Sequence, residues 1–105
     1  MFVKNMKLPA LLDTYGALIT KRQYDVLDLY YNEDLSLSEI SEITGISRQG
    51  VRDSVKKGEG ELVRFEEALG LVGKRDRAER LFREGEQIGD GEAKRIITEL
   101  SEIYS

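Results

Sequence analysis

With 105 residues the chain has room for one domain and a helical extension; a globule this small buries only about 60–65% of its unfolded surface, so a long apolar helix face calls for a partner. It has no cysteine and no histidine, which excludes disulfides, thiolate metal ligands and the commonest general base, and no cofactor or metal is expected. The 16 basic and 20 acidic residues leave a net charge of −4, which excludes a protein that coats DNA by overall positive charge; any nucleic-acid binding has to come from a local patch.

A single proline and the absence of apolar–polar alternation predict an all-α chain. No cationic-then-apolar leader appears, and no apolar run nears the ~18 residues of a membrane span. A soluble, cytoplasmic protein without membrane insertion is the expectation.

Leu8, Leu11, Leu12, Tyr15, Leu18 and Ile19 recur at helical spacing and predict a first helix from Leu8 to Ile19, with Pro9 in the first turn. Thr20-Lys-Arg-Gln23 reads as a capping box and opens a second helix, with Tyr24, Leu27, Tyr30 and Tyr31 facing inward and its end near Asn32. Ser36-Leu-Ser-Glu39 is a second capping box. It opens a short third helix with Ile40 and Ile43 inward and a small residue, Ser41, where two helices approach. Gly45 suits a left-handed turn, Ile46 plugs the corner, and Ser47 caps a fourth helix. This is the pattern of a helix-turn-helix.

In the fourth helix Val51, Val55, Gly58, Leu62, Phe65 and Leu69 follow a heptad-like seam. Its first half packs inside the helix-turn-helix, and the second half, Leu62 to Leu69, needs another surface. Gly58 and Gly60 cost ~2 kcal/mol together in a continuous helix, so the helix either kinks there or Gly58 permits a close crossing. A fifth helix runs from Lys74 to Gln87 with Ala78, Leu81 and Phe82 apolar. A turn at Gly89-Asp-Gly91, with Asp90 as cap, leads to a last helix bearing Ala93, Ile96, Ile97, Leu100, Ile103 and Tyr104, and the two helices form a C-terminal helical hairpin. The organisation read from these elements is a helix-turn-helix domain over residues 1–60 and a helical extension over 61–105 that serves dimerisation.

With Val51 and Val55 turned inward, the outer face of the fourth helix carries Ser47, Arg48, Gln49, Arg52, Lys56 and Lys57. A recognition helix enters the major groove by its N-terminal end. Ser47 and the backbone N–H groups beside it suit a phosphate, Arg48 and Arg52 suit guanine, Gln49 suits adenine, and Lys56 and Lys57 reach the backbone. Against this stand Asp53 on the same helix and a net charge of −2 from Thr20 to Gly60 (6 bases, 8 acids). The competing reading is a solvated face on a helix kept for packing. Lys74, Arg75, Arg77, Arg80 and Arg83 form a second basic run, readable as an RNA site or as an exposed helix laced with ion pairs to Asp76, Glu79 and Glu84. Tyr24, Tyr30 and Tyr31 read as core residues or as stacking platforms for RNA bases.

The stretch LYYNEDLSLSEISEITGISRQGVRDSVKK, with LLDTYGALITKRQYDVLDLYY ahead of it and ELVRFEEALGL behind, closely resembles the YlxM family of small bacterial helix-turn-helix proteins over residues 8–71. The same segment is similar, more generally, to the C-terminal DNA-binding region of bacterial sigma factors. The resemblance implies a sigma-factor-like bundle with a long recognition helix, in an all-helical, dimeric protein of Gram-positive bacteria. In relatives its gene lies beside those for the signal recognition particle protein and its receptor. The chain departs from the family pattern at Ser41 and Gly50, where alanine is typical, and at Gly58 and Gly60. Asp53 matches a family position, and the C-terminal third resembles no named family.

The expected function is therefore that of a non-enzymatic DNA-binding regulatory protein of the signal recognition particle pathway. Its partners would be DNA, the particle's protein or RNA, and a second copy of the chain. The alternatives are an operator-binding transcription regulator unrelated to protein targeting, and a pure protein-interaction module.

Overall fold

The computed structural model describes residues 4–88 together with residues 91, 95, 96, 98, 99 and 102. The elements are α1 (Leu8–Tyr15), a 3₁₀ turn (Gly16–Leu18), α2 (Lys21–Tyr31), α3 (Leu37–Thr44), α4 (Arg48–Leu69) and α5 (Leu71–Ile88), with no strand among the described residues. The protein is all-α, and no helix of the described residues is long and apolar enough to cross a membrane. The chain divides into two compact units, Met1–Leu69 and Gly70–Ser105, and residue 60, the boundary expected from sequence, lies inside an unbroken α4.

Both capping boxes form as read. The Thr20 hydroxyl accepts from the Gln23 N–H at 3.1 Å while the Gln23 amide oxygen accepts from the Thr20 N–H at 3.0 Å. Ser36 and Glu39 repeat the exchange at the start of α3. The first box also ends the first helix early. Ile19 and Thr20 must be extended to enter α2, so the α-helix stops at Tyr15 and tightens into the 3₁₀ turn, leaving Leu18 59% exposed rather than on the inner face. Gln23, drawn into its box, is buried beside Val26, Leu27 and Tyr30, whereas Tyr24, expected inside, is exposed and Tyr31 half-buried. In α3 only Ile40 is buried; Ile43 stands 64% exposed.

α4 is the wall against which α1, α2 and α3 all pack. Val51, Val55, Gly58 and Leu62 are buried along it. At Gly58 the helix does not break: a Cβ there would lie 2.7 Å from Cδ1 of the fully buried Leu27, so the glycine admits α2 at close range. The rear half of α4 is partly covered within the chain. Leu62 is sealed, Phe65 is half-buried with its ring 6.0 Å from that of Tyr15, and the Tyr15 hydroxyl donates to Glu66 at 2.6 Å. Of that stretch of the seam Leu62 and Phe65 find cover within the chain, while Leu69 is 47% exposed.

The N-terminal arm is tied to the end of α2. Lys4 donates to the Tyr30 carbonyl at 2.9 Å and to Asp34 at 2.7 Å, with its ammonium 4.5 Å from the Tyr30 ring centre. The hydrogen bond from Lys4, and then its charge, hold the Asp34 carboxyl below the usual range. The Tyr31 hydroxyl accepts from the Asn5 N–H and donates to Glu59. Burial, and then that bond to the Glu59 carboxylate, push the Tyr31 phenol upward.

In the second unit α5 begins three residues before the expected Lys74, at Leu71; Leu81 is 47% exposed and Ala78 and Phe82 half-buried. Of the expected turn, residues 89 and 90 lie outside the described residues, and Gly91 is helical. Ala93, Ile97, Leu100, Ile103 and Tyr104 of the last helix, and with them the helical hairpin, also lie outside the described residues; Ile96 is 49% exposed.

A Cβ at Gly60 would meet only Arg64, at 3.9 Å, so Gly60→Ala should gain roughly 0.5–1 kcal/mol of helix stability. The same change at Gly58 overpacks Leu27 and should cost about 1 kcal/mol net of that gain. Urea unfolding of the two variants checks this, and equal effects would contradict the close crossing. Because folding raises the Tyr31 pKa, the native state holds a proton that the unfolded chain releases near pH ~10. This contribution is intact below about pH 10 and is lost as pH rises from there through the folded value, so above about pH 10 the wild type should lose stability more steeply than Tyr31→Phe. Parallel losses would refute it.

Candidate nucleic-acid interface

The turn between α3 and α4 is fixed from several sides. Gly45 takes φ +74°, a left-handed conformation, and its N–H donates to the Ser41 carbonyl at 2.9 Å. Ser41, read as a small residue where two helices approach, also donates its hydroxyl to the Ile46 carbonyl at 2.6 Å across the turn. Thr44 adds a bond to the Ile40 carbonyl at 2.7 Å and receives the Ile46 N–H at 3.3 Å. Ser47 then caps α4, its oxygen accepting from the Gly50 N–H at 3.0 Å and its carbonyl from the Val51 N–H at 2.8 Å. The cap occupies the Ser47 oxygen as acceptor and leaves its hydroxyl hydrogen to donate.

With Val51 and Val55 fully buried, the helical period turns the rest of this segment outward. Ser47, Arg48, Gln49, Arg52, Lys56 and Lys57 are all exposed, as expected. Arg48, Gln49 and Arg52 converge with Leu37 of α3 around a depression of about 370 Å³. Lys56 and Lys57 lie farther along α4 and do not line it.

Between residues 47 and 57 four cations face one acid, so this stretch is basic although the surrounding unit is not. Six of the eight acids between Thr20 and Gly60 have structural partners. Asp25 pairs with Lys21, Asp34 with Lys4, Asp28 accepts from Asn32, Glu39 closes its capping box, and Glu59 receives Tyr31. The sixth is Asp53, whose Oδ1 accepts from Gln49 Nε2 at 2.9 Å.

One cation that pattern reading passed over lies beside the first turn of α4. Arg22, at the start of α2, places Nη2 3.3 Å from the point that a Cβ on Gly50 would occupy, beside the first turn of α4. Nothing in the local sequence announces this, because the approach is made by tertiary packing of α2 on α4. The other candidates fare less well. Tyr30 is buried and Tyr31 is bound to Asn5 and Glu59; Tyr24 is 39% exposed, with its ring against Gly16. Along α5 the exposed Lys74, Arg77, Arg80 and Arg83 alternate around the helix with exposed Asp76, Glu79 and Glu84, which suits a solvated face.

A family model described as "Putative helix-turn-helix protein, YlxM / p13 like" matches residues 2–103, and so reaches through the C-terminal third. A UPF0122 protein of Acetivibrio thermocellus is 61% identical over 64 residues, which are 61% of this chain and 55% of that protein. A UPF0122 protein of Clostridium kluyveri is 51% identical over 69 residues, 66% of this chain and 62% of the relative. One of Clostridium perfringens is 44% identical over 78 residues, 74% of this chain and 70% of the relative. Against the first two, the matched segment spans a little over half of the relative's length. With a match over nearly its whole length, the chain belongs to the UPF0122 family.

Proposed function

We propose that this protein is a non-catalytic regulator that reads duplex DNA by inserting the start of α4 into the major groove. The supporting observation is the convergence of Arg48, Gln49 and Arg52 on one exposed surface of a helix whose opposite side is fully buried. An α-helix fits the major groove, and these side chains are the types that pair with guanine and adenine edges there. Lys56, Lys57 and Arg22 contact phosphate oxygens on either side, and the Ser47 hydroxyl donates to another. The protein acts in the cytoplasm, and two copies engage two half-sites. A place in the signal recognition particle pathway rests on the family resemblance.

A second reading, a protein-interaction module, is favoured by Ile43, which stands 64% exposed on α3 beside the exposed Glu39 and Glu42. An apolar and acidic face suits a protein partner better than a phosphate backbone.

Titration of labelled duplex DNA and structured RNA at low and physiological salt separates the two. DNA reading predicts that Arg48→Ala and Arg52→Ala each weaken specific duplex binding by roughly 5- to 150-fold, and that affinity falls linearly on a log–log plot against salt. Equal weak binding to every nucleic acid, unmoved by either substitution, would overturn DNA reading in favour of the protein partner.

A further inference from the structure

Asp53 stands one turn beyond Gln49 on the exposed crest of α4, opposite the buried Val51 and Val55. An acid at that place opposes the approach of phosphate, and its side chain takes no part in the core. Its hydrogen bond is to Gln49: Oδ1 accepts from Nε2 at 2.9 Å. A carboxylate only accepts, so it selects the nitrogen side of the amide and turns the oxygen away from itself.

We propose that Asp53 is a specificity-determining positioning residue that locks the Gln49 amide in the orientation that reads adenine; this rests on the DNA-binding reading above. Nε2 carries two hydrogens, and Asp53 takes one. The other, together with Oε1, forms the donor–acceptor pair that matches N7 and the N6 amino group of adenine. Guanine places its O6 acceptor where adenine has its amino group, so a locked amide meets it oxygen to oxygen. An unlocked glutamine is free to swing Oε1 off the base and let Nε2 alone donate to O6 or N7 of guanine. Asp53 therefore weakens general attraction to DNA while sharpening the choice between A·T and G·C at one base pair. Pre-setting the rotamer also removes an ordering cost that a mobile glutamine meets on binding.

Selection from a random-sequence duplex library tests this with the full-length wild type and the variants Gln49→Ala, Asp53→Ala and Asp53→Glu. The position read by Gln49 is the one whose preference Gln49→Ala abolishes. There the wild type should favour adenine over guanine by roughly tenfold or more. Asp53→Ala should bind bulk duplex at least as well as wild type, yet bring that ratio within about threefold. Asp53→Glu, which keeps a carboxylate one turn away, should restore the preference. Melting temperatures should agree within about 2 °C, since the residue is exposed, and this separates positioning from folding. An unchanged ratio in Asp53→Ala, or a wild type with no adenine preference at the Gln49 position, overturns the proposal while DNA reading stands. A wild type that binds no duplex overturns the DNA reading and this proposal together.

Discussion

Leu27 lies against the backbone of Gly58, where any side chain on α4 would collide with it, and the placement of the first unit depends on that crossing. Because α2 approaches α4 so closely, Val51, Val55 and Leu62 are all sealed on one side of the helix. The 22 residues of α4 form one unbroken helix, so anchoring at its rear, through Leu62, Phe65 and the Tyr15–Glu66 bond, also sets the direction of its front. A helix with one side buried has no choice about what it shows to solvent. The exposure of Arg48, Gln49 and Arg52 thus follows from core packing, not from any force acting on those side chains themselves.

The charge balance looks adverse only when it is summed over the chain. At physiological ionic strength the field decays over about 8 Å, so the start of α4 answers to its near neighbours. Those neighbours are Arg22, Arg48 and Arg52, with Asp53 the acid on the same helix face. Two of the remaining acids, Asp25 and Asp34, are matched by lysines, and others serve capping or tyrosine bonds. Much of the acidity thus has a structural use, and the cationic surface is local. On the proposed DNA-binding reading, such a surface supplies modest general attraction and leaves discrimination to directed hydrogen bonds.

Much of this was legible in the residues. Both capping boxes, the left-handed Gly45 and the outward set from Ser47 to Lys57 are local chemistry, and local chemistry is written in short patterns. Periodicity was weaker where a helix has apolar residues on more than one side. Tyr24 and Ile43 fit an apolar stripe as well as their buried neighbours do, and only the position of α4 decides against them. Gln23 reversed the usual rule because its capping box drew the amide inward. Gly58 left two outcomes open, and Leu27 settled them from 31 positions away in sequence. Arg22 was invisible for the same reason, whereas the Ser41–Ile46 bond spans five residues and depends on the turn made at Gly45. The Gln49–Asp53 pair, by contrast, sits at a spacing of four on one helix face and could have been read without coordinates.

The most direct test of the account maps duplex binding residue by residue, by amide chemical-shift changes in the isotope-labelled protein as DNA is added. If core packing aims α4 as described, the largest changes fall between residues 47 and 57 and at Arg22, while Leu62 and Phe65 stay still. Changes gathered on α5 or on the arm around Lys4, with residues 47–57 unmoved, would contradict it.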